Sequence, residues 1–299
     1  MTNIIKNTKP FFSILLPIYN REDFLAETID TVLNQSFRDW ELVAVDDGST
    51  DKSVSILEAY GDDRIRIIKQ KNAGAGAARN TAISNARGEY FAFLDSDDLW
   101  NPKHLELHHA AIVKSNFQKA FFRSFIAFIE NGAVKDHQSI VENNFKDSLE
   151  YSMKVALYPT ACSFHNSLFA NIRFNEQIKI NIDAECFIRV AAISQIFVIP
   201  EHTGFIRRHP GNLSVAGSAN YLRQIEVWSK IQSYPEVKTR LPRHYINNLL
   251  ANYHFWLFAD KKLSSQKRLY NFTRSVALDR RKLFKWQTWK LLFKSIIGA

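Results

Sequence analysis

The residues Asp95-Ser96-Asp97-Asp98 follow directly on the apolar run Tyr90 to Leu94. Two carboxylates two positions apart on a strand-end loop form a hard oxygen site for Mg²⁺ or Mn²⁺, the kind of ion that a nucleoside diphosphate needs to offset its charge. An isolated Asp-x-Asp-Asp is more often a solvated turn or a helix cap, but its place after a buried strand and before Leu99-Trp100 favours the chemical reading. Two other loops carry suitable side chains. Tyr19 and Asn20 end the run Phe12 to Ile18, and Asp46 and Asp47 end the run Trp40 to Val45. An aromatic face can stack on a base, and a carboxylate can accept the N3 proton of uracil, which guanine offers elsewhere on its edge. Asp46 and Asp47 also suit the N-terminus of the next helix as caps, and one of them can do only that.

The elements that must position these residues alternate regularly. Strand-length apolar runs cover Phe12 to Ile18, Trp40 to Val45, Ile65 to Ile68 and Tyr90 to Leu94, and helical patterns cover Asp23 to Leu33, Lys52 to Tyr60 and Gly76 to Ala86. Uniformly apolar strands separated by helices predict an α/β domain with a mainly parallel sheet covered on both faces. Ligands bind such sheets beyond the carboxyl ends of the strands, so the three loops should meet in one crevice. Pro102 opens a further helix to about Asn116, and Ala120 to Ile129 followed by Asn131-Gly132 reads as a strand entering a hairpin. The glycines of Asn72 to Asn80 do not form a dinucleotide fingerprint, because Arg79 stands where the third glycine belongs and the first strand is followed by Tyr-Asn.

The ordered blocks SILLPIYN (13–20), TVLNQSF (31–37), WELVAVDDGSTD (40–51), NAGAGAARNTAI (72–83) and RGEYFAFLDSDDLW (87–100) together resemble the family 2 glycosyltransferases, inverting enzymes of the GT-A fold. The resemblance implies a nucleotide-sugar donor, a glycan or lipid-linked acceptor and a divalent metal cofactor, Mn²⁺ or Mg²⁺. It implies that Asp97 holds the metal with Asp95 near the nucleotide ribose. Ser96 lies between them, Pro17 and Ile18 line the base pocket with Tyr19 and Asp47, and Arg79 lies near the nucleotide. An Arg on an alanine-rich helix is otherwise a surface residue. Inverting transfer also needs a base for the acceptor hydroxyl. The segment Asn181 to Arg189 resembles the family's acidic block before a helix, with Asp183 in the base position, Ile182 departing from the usual acidic residue, and Glu185 as the rival. Asp183 could instead only cap the helix Ala184 to Ile193. Pro200 to Ser214 resembles a closing loop of the family, in which Arg207, Arg208 and His209 would meet the diphosphate or the metal. His104, His108 and His109 share a helix without a third ligand and read as surface or acceptor-side residues.

The chain has 299 residues and a net charge of +9. From 260 to 299 there are 11 Lys and Arg against 2 Asp, which accounts for the whole excess, so no basic groove for nucleic acid is expected on the main domain. Two cysteines exclude a disulfide scaffold and a four-thiolate zinc site. The N-terminus lacks a signal-peptide pattern, and no run of about 18 apolar residues would span a bilayer, which places the protein in the cytoplasm. Leu283, Trp286, Trp289, Phe293, Ile296 and Ile297 recur at helical spacing among Arg280, Arg281, Lys282, Lys285, Lys290 and Lys294, a pattern of an interfacial helix on the inner membrane face or of a helix packed on its own protein. The expected organisation is a GT-A domain over 1–215, with a nucleotide-binding half (about 10–100) and an acceptor-side half (about 101–215), and a helical basic extension over 216–299. A sugar nucleotidyltransferase or a non-catalytic nucleotide-binding or membrane scaffold of the same fold is the alternative. The first would need an early basic, glycine-rich phosphate loop that LLPIYN does not supply.

Overall fold

The computed structural model describes residues 9–136, 147–179, 181–209, 218–241, 243–260 and 262–284. The chain divides into two units, 1–210 and 211–299. The first contains β1 (Phe12–Ile18), α1 (Leu25–Leu33), β2 (Trp40–Asp46), α2 (Ser53–Ala59), β3 (Ile65–Lys69), α3 (Ala75–Asn85), β4 (Tyr90–Phe93), β5 (Leu99–Trp100), α4 (His104–Lys114), β6 (Phe121–Glu130), β7 (Ala133–Asp136), α5 (Ser148–Lys154), β8 (Cys162–His165), α6 (Ile182–Ile193) and β9 (Ile196–Arg208). One sheet runs in the order β3-β2-β1-β4-β8-β6-β9-β5, with β7 paired to β6.

The first four strands pair in parallel, as their unbroken apolar runs require. Every residue of β2 and β4 is buried. Phe12, Ile14, Leu16 and Ile18 of β1 pack in one core cluster with Leu42, Ala44, Ile29 and Val32. Beyond β4 the sheet is mixed. The short β8 inserts antiparallel between β4 and β6, and β5 pairs antiparallel with β9. Asn131 and Gly132, at φ 52° and 76°, make the turn between β6 and β7.

The segment read from sequence as a closing loop from Pro200 to Ser214 is a strand as far as Arg208. The 13-residue strand β9 pairs in parallel with the whole of β6, and its register slips first where Pro200, which has no N–H to give the ladder, falls, and again at Thr203. The bulge lets an apparent loop sequence continue as sheet. Positions 210–214 lie outside the described residues.

His104 and His108 also differ from expectation. Both are fully buried, stacked on each other at 4.3 Å with Trp100 on the far side of His104 at 4.1 Å. Nδ1 of His104 meets Thr203 Oγ1 at 2.7 Å, and Nδ1 of His108 meets Ser163 Oγ at 2.6 Å, while neither Nε2 has a hydrogen-bond partner among the described residues. They join α4 to β8 and β9 beneath the sheet. His109, on the next position, packs on Phe37 and Phe11.

The second unit contains α7 (Ser218–Ile231), α8 (Pro235–Lys238), α9 (Arg243–Ala259) and α10 (Ser265–Leu278). Part of the basic cluster expected at a lipid surface is used inside this unit. Lys282 is 6% exposed, donates to Asn252 and lies over the Phe255 ring, and Arg281 binds Asp279 and Asn248. Residues 280–284 form a short 3-10 turn, and 285–299, with Trp286, Trp289 and their neighbours, lie outside the described residues. Among the described residues no helix is long and apolar enough to cross a membrane.

Burial holds the pKa of His104 well below its usual 6.5 and brings that of His108 down to about 3, so both are neutral when folded. Unfolding exposes them to protonation below pH 6.5, which means that stability falls as pH falls from about 6.5 towards 3, at about 1.4 kcal/mol per pH unit for each ring. Urea titrations between pH 7 and 5 should show a loss of this sign that His104→Phe reduces. An unchanged slope in that variant would remove His104 from the account.

Candidate active site

The loops after β1, β2 and β4 lie side by side at the carboxyl edge of the parallel strands; hydrogen bonds join the first two, and Arg21 of the first reaches Asp97 of the third. Asp47 N–H donates to the Ile18 carbonyl at 2.8 Å, Asn20 N–H to Ser49 Oγ at 3.0 Å, and Thr50 N–H to Asn20 Oδ1 at 2.8 Å. Tyr19 projects from this rim with 45% of its surface exposed, as a stacking ring must. Pro17 is partly exposed, but Ile18 is not a pocket residue. Strand alternation turns its side chain into the core, where it is 1% exposed.

Asp47 is 2% exposed and fastens the next loop. Its Oδ1 accepts from Gln70 Nε2 and Ala73 N–H, and its Oδ2 from Gly74 N–H at 2.8 Å. Two lone pairs per oxygen leave one acceptor position on Oδ2. Gly74, at φ 97°, makes the left-handed step that presents its N–H to Asp47 just before α3. Asp46 accepts Ser49 N–H and serves the turn.

Helix α3 buries Ala77, Ala78 and Ala82, and with them Arg79, which is 5% exposed. The alternative of a surface arginine on this helix is thus excluded. Its Nη2 donates to Asp95 Oδ1 at 2.6 Å and its Nη1 lies 3.1 Å from Asp183 Oδ1. Burial alone would lower the guanidinium pKa, but Asp183 and Asp95 outweigh it and hold it raised. Burial raises the pKa of Asp95, with Asp183 and Asp97 adding to it and Arg79 opposing.

Asp97, 9% exposed, receives Arg21 Nε at 3.2 Å and His209 Nε2 at 3.1 Å on the same Oδ2. The His209 ring stacks on Phe24 at 4.5 Å. Asp98 has a bracing role. Thr160 Oγ1 donates to its carboxylate and Arg207 N–H reaches it at 3.2 Å, while its carbonyl accepts Thr28 Oγ1 at 2.9 Å. Its pKa is pushed well above the carboxylate range by burial, with Asp95 and Asp97 adding. Ser96 is buried and gives its carbonyl to Thr28 Oγ1.

Arg207 and Arg208 do not act together. Alternation along β9 puts Arg207 against Glu27 and over the Phe24 ring, whereas the Arg208 guanidinium sits 4.0 Å above Phe128, with Tyr158 beside it. Arg207 Nη1 is buried without a hydrogen-bond partner among the described residues. Asp183 does not cap its helix, because α6 begins at Ile182, with left-handed Asn181 before it. Its side chain is 27% exposed. Glu185, the rival, is fully buried and paired with Arg189 at 3.2 Å, out of an acceptor's reach.

The sequence reading missed Arg21, Phe24, Glu27 and Thr160. Arg21 directly follows the flagged Tyr19-Asn20 pair, which was a usable signal; the other three had none. Among the described residues no group of three or more His, Cys, Asp and Glu could hold an ion by itself. Asp97 with His209 offers one hard oxygen and one imidazole nitrogen, which fits an ion that completes its shell from substrate phosphates and water.

Residues 13–197 match the family model described as Glycosyl transferase family 2. The chain is 30% identical over 258 residues to an uncharacterized glycosyltransferase of Methanocaldococcus jannaschii, covering 83% of this chain and 84% of that one. It is 37% identical over 123 residues, 41% of this chain, to the UDP-Glc:alpha-D-GlcNAc-diphosphoundecaprenol beta-1,3-glucosyltransferase WfgD of Escherichia coli, and spans 48% of that protein's length. Another relative, from Bacillus subtilis, is matched over 41% of its length. S. aureus TarS, solved in complex with UDP-GlcNAc, superimposes with a TM-score of 0.68 at 22% identity, covering 89% of this chain and 81% of that one.

Replacing Arg79 by Ala would leave Asp95 and Asp183 facing each other without a shared cation. We expect a loss of about 3 kcal/mol at pH 7.5 and a smaller loss at pH 5, where the carboxylates can take up a proton. Urea unfolding at the two pH values measures this; equal losses would contradict it. The chain belongs to glycosyltransferase family 2 and is a glycosyltransferase of the GT-A fold.

Proposed function

We propose that the protein transfers a sugar from a UDP-linked donor to a glycan or lipid-linked acceptor with inversion, in one displacement assisted by a divalent ion. The observation that carries this reading is the meeting of two groups of polar side chains at one rim: Asp95 and Asp183 joined through Arg79, and Asp97 beside His209. Tyr19 would stack on the base, and the remaining acceptor position of Asp47 Oδ2 would take the uracil N3 proton. Asp97 and His209 would hold Mn²⁺ or Mg²⁺, which supplies positive charge to the departing diphosphate. The unpartnered Nη1 of Arg207 is a donor available to the same leaving group. Asp183, exposed enough to meet an acceptor and oriented by Arg79, would take the hydroxyl proton as that oxygen attacks the anomeric carbon from the side opposite the diphosphate. Asp95 would then lie near the nucleotide ribose.

The likeness to TarS, solved with UDP and with UDP-GlcNAc, supports the uridine donor, and the WfgD name supports a lipid-linked acceptor in polysaccharide biosynthesis. Peripheral contact with the inner face of the membrane rests on the basic, Trp-containing C-terminal sequence.

The test is transfer from UDP-sugars followed by NMR of the product anomer. Asp183→Asn should keep UDP binding in calorimetry and lose about 10²- to 10⁴-fold in kcat. Normal turnover of this variant would remove Asp183 as base, and a product with retained configuration would remove the single displacement.

A further inference from the structure

Asp97 Oδ2 is shared by two groups of different chemistry. His209 Nε2, at 3.1 Å, can offer a lone pair to an ion; the Arg21 guanidinium, with Nε at 3.2 Å, cannot. A dication on this oxygen and a guanidinium beside it repel, so the two compete for one carboxylate. Arg21 can give way without disturbing the loop. Its N–H is fixed to Ser53 Oγ at 2.9 Å, and among the described residues its Nη1 bonds only to the Tyr19 and Asn20 carbonyls, at 3.4 and 3.1 Å, with the side chain 23% exposed. The neighbouring arginines pair with other carboxylates, Arg79 with Asp95 and Asp183, and Arg207 through Nη2 with Glu27. Arg21 also stands two residues after Tyr19, on the loop that would meet the nucleotide.

We propose that Arg21 is a built-in counter-cation for Asp97, which the divalent ion displaces and the diphosphate of the donor then receives. The proposal rests on the metal reading of the site given above. Without nucleotide, the ion must drive Arg21 from its carboxylate into water. With a nucleoside diphosphate present, the displaced guanidinium gains a new anionic partner. Metal and nucleotide therefore bind with positive coupling that passes through Arg21, and the coupling is reciprocal. The device protects the empty site from an uncompensated buried carboxylate and makes metal loading depend on donor.

The test is titration of the full chain with Mn²⁺, followed by the EPR signal of free Mn²⁺, with and without saturating UDP, a protein-free titration correcting for Mn²⁺ held by UDP alone. Wild type should bind Mn²⁺ at least about tenfold more tightly with UDP than without. Arg21→Gln should bind Mn²⁺ alone about tenfold more tightly than wild type and lose a similar factor of the UDP-dependent gain. Arg21→Lys, which keeps the charge, should restore the wild-type pattern, and Asp97→Asn should lose Mn²⁺ binding in the presence of UDP. The proposal falls if Arg21→Gln binds Mn²⁺ alone like wild type, or if the Lys and Gln variants behave alike; either result leaves the metal reading intact. If wild type binds no Mn²⁺ with UDP, or Asp97→Asn binds it normally, the metal reading falls and the proposal with it.

Discussion

Asp95, Asp97, Asp98 and Asp183 crowd a rim that burial has partly dried, and like charges so placed raise one another's cost of ionisation. Burial first, and then the neighbouring carboxylates, raise the pKa values of both Asp95 and Asp98. The Arg79 guanidinium between Asp95 and Asp183 makes the arrangement tolerable, and much of the surrounding structure serves to bring it there. The side chain must enter from α3, so this helix lies close on the sheet with Ala77, Ala78 and Ala82 inward, where larger residues would hold it off. The N-terminus of α3 must then be fixed, which Asp47 does through the Ala73 and Gly74 amides. A residue expected to read the base is therefore also the one that sets the reach of Arg79.

A second set of contacts stiffens the acidic loop. Thr28 on α1 binds the carbonyls of Ser96 and Asp98, and Thr160 binds the Asp98 carboxylate and receives Asp95 N–H at 3.5 Å. Trp100 Nε1 donates to the Thr160 carbonyl at 2.7 Å, and Trp100 in turn rests on His104. The stack of neutral histidines thus supports the loop from beneath. Neutrality is required there, because the groups the two rings bond to, the Thr203 and Ser163 hydroxyls, carry no negative charge to offset a charged imidazole.

The parallel half of the fold was readable because its signals are local. Uninterrupted apolar runs and the turn residues that end them define β1 to β4, and the acidic and aromatic tips fall where a parallel sheet must place them. Strand β8 was not readable. Four residues, Cys-Ser-Phe-His, carry no periodicity, and only the gap between β4 and β6 makes them a strand. Strand β9 was obscured by Pro200, which signals a loop unless a bulge absorbs it. Arg79, His104 and His108 look like surface residues by type, and their burial follows from partners 16 to 104 positions away, Asp95, Ser163, Asp183 and Thr203, which spacing along one element does not reveal.

The end of β9 shows how local signals and distant partners combine at the site. Alternation is a local rule, and it assigns Arg207 to the carboxylate side and Arg208 to Phe128 and Tyr158. Which neighbour Arg207 then finds is decided by α1 and the residue that precedes it, which supply Glu27 and Phe24, while Phe24 also carries the His209 ring. Through these contacts α1 holds the end of β9 against the acidic loop, with Arg21 just ahead of it on Asp97. One short stretch of chain, 21 to 28, therefore touches Asp97, Asp98, Arg207 and His209. A change of charge at the acidic loop is felt there first, because the groups that neutralise the loop and those that anchor β9 belong to the same two turns.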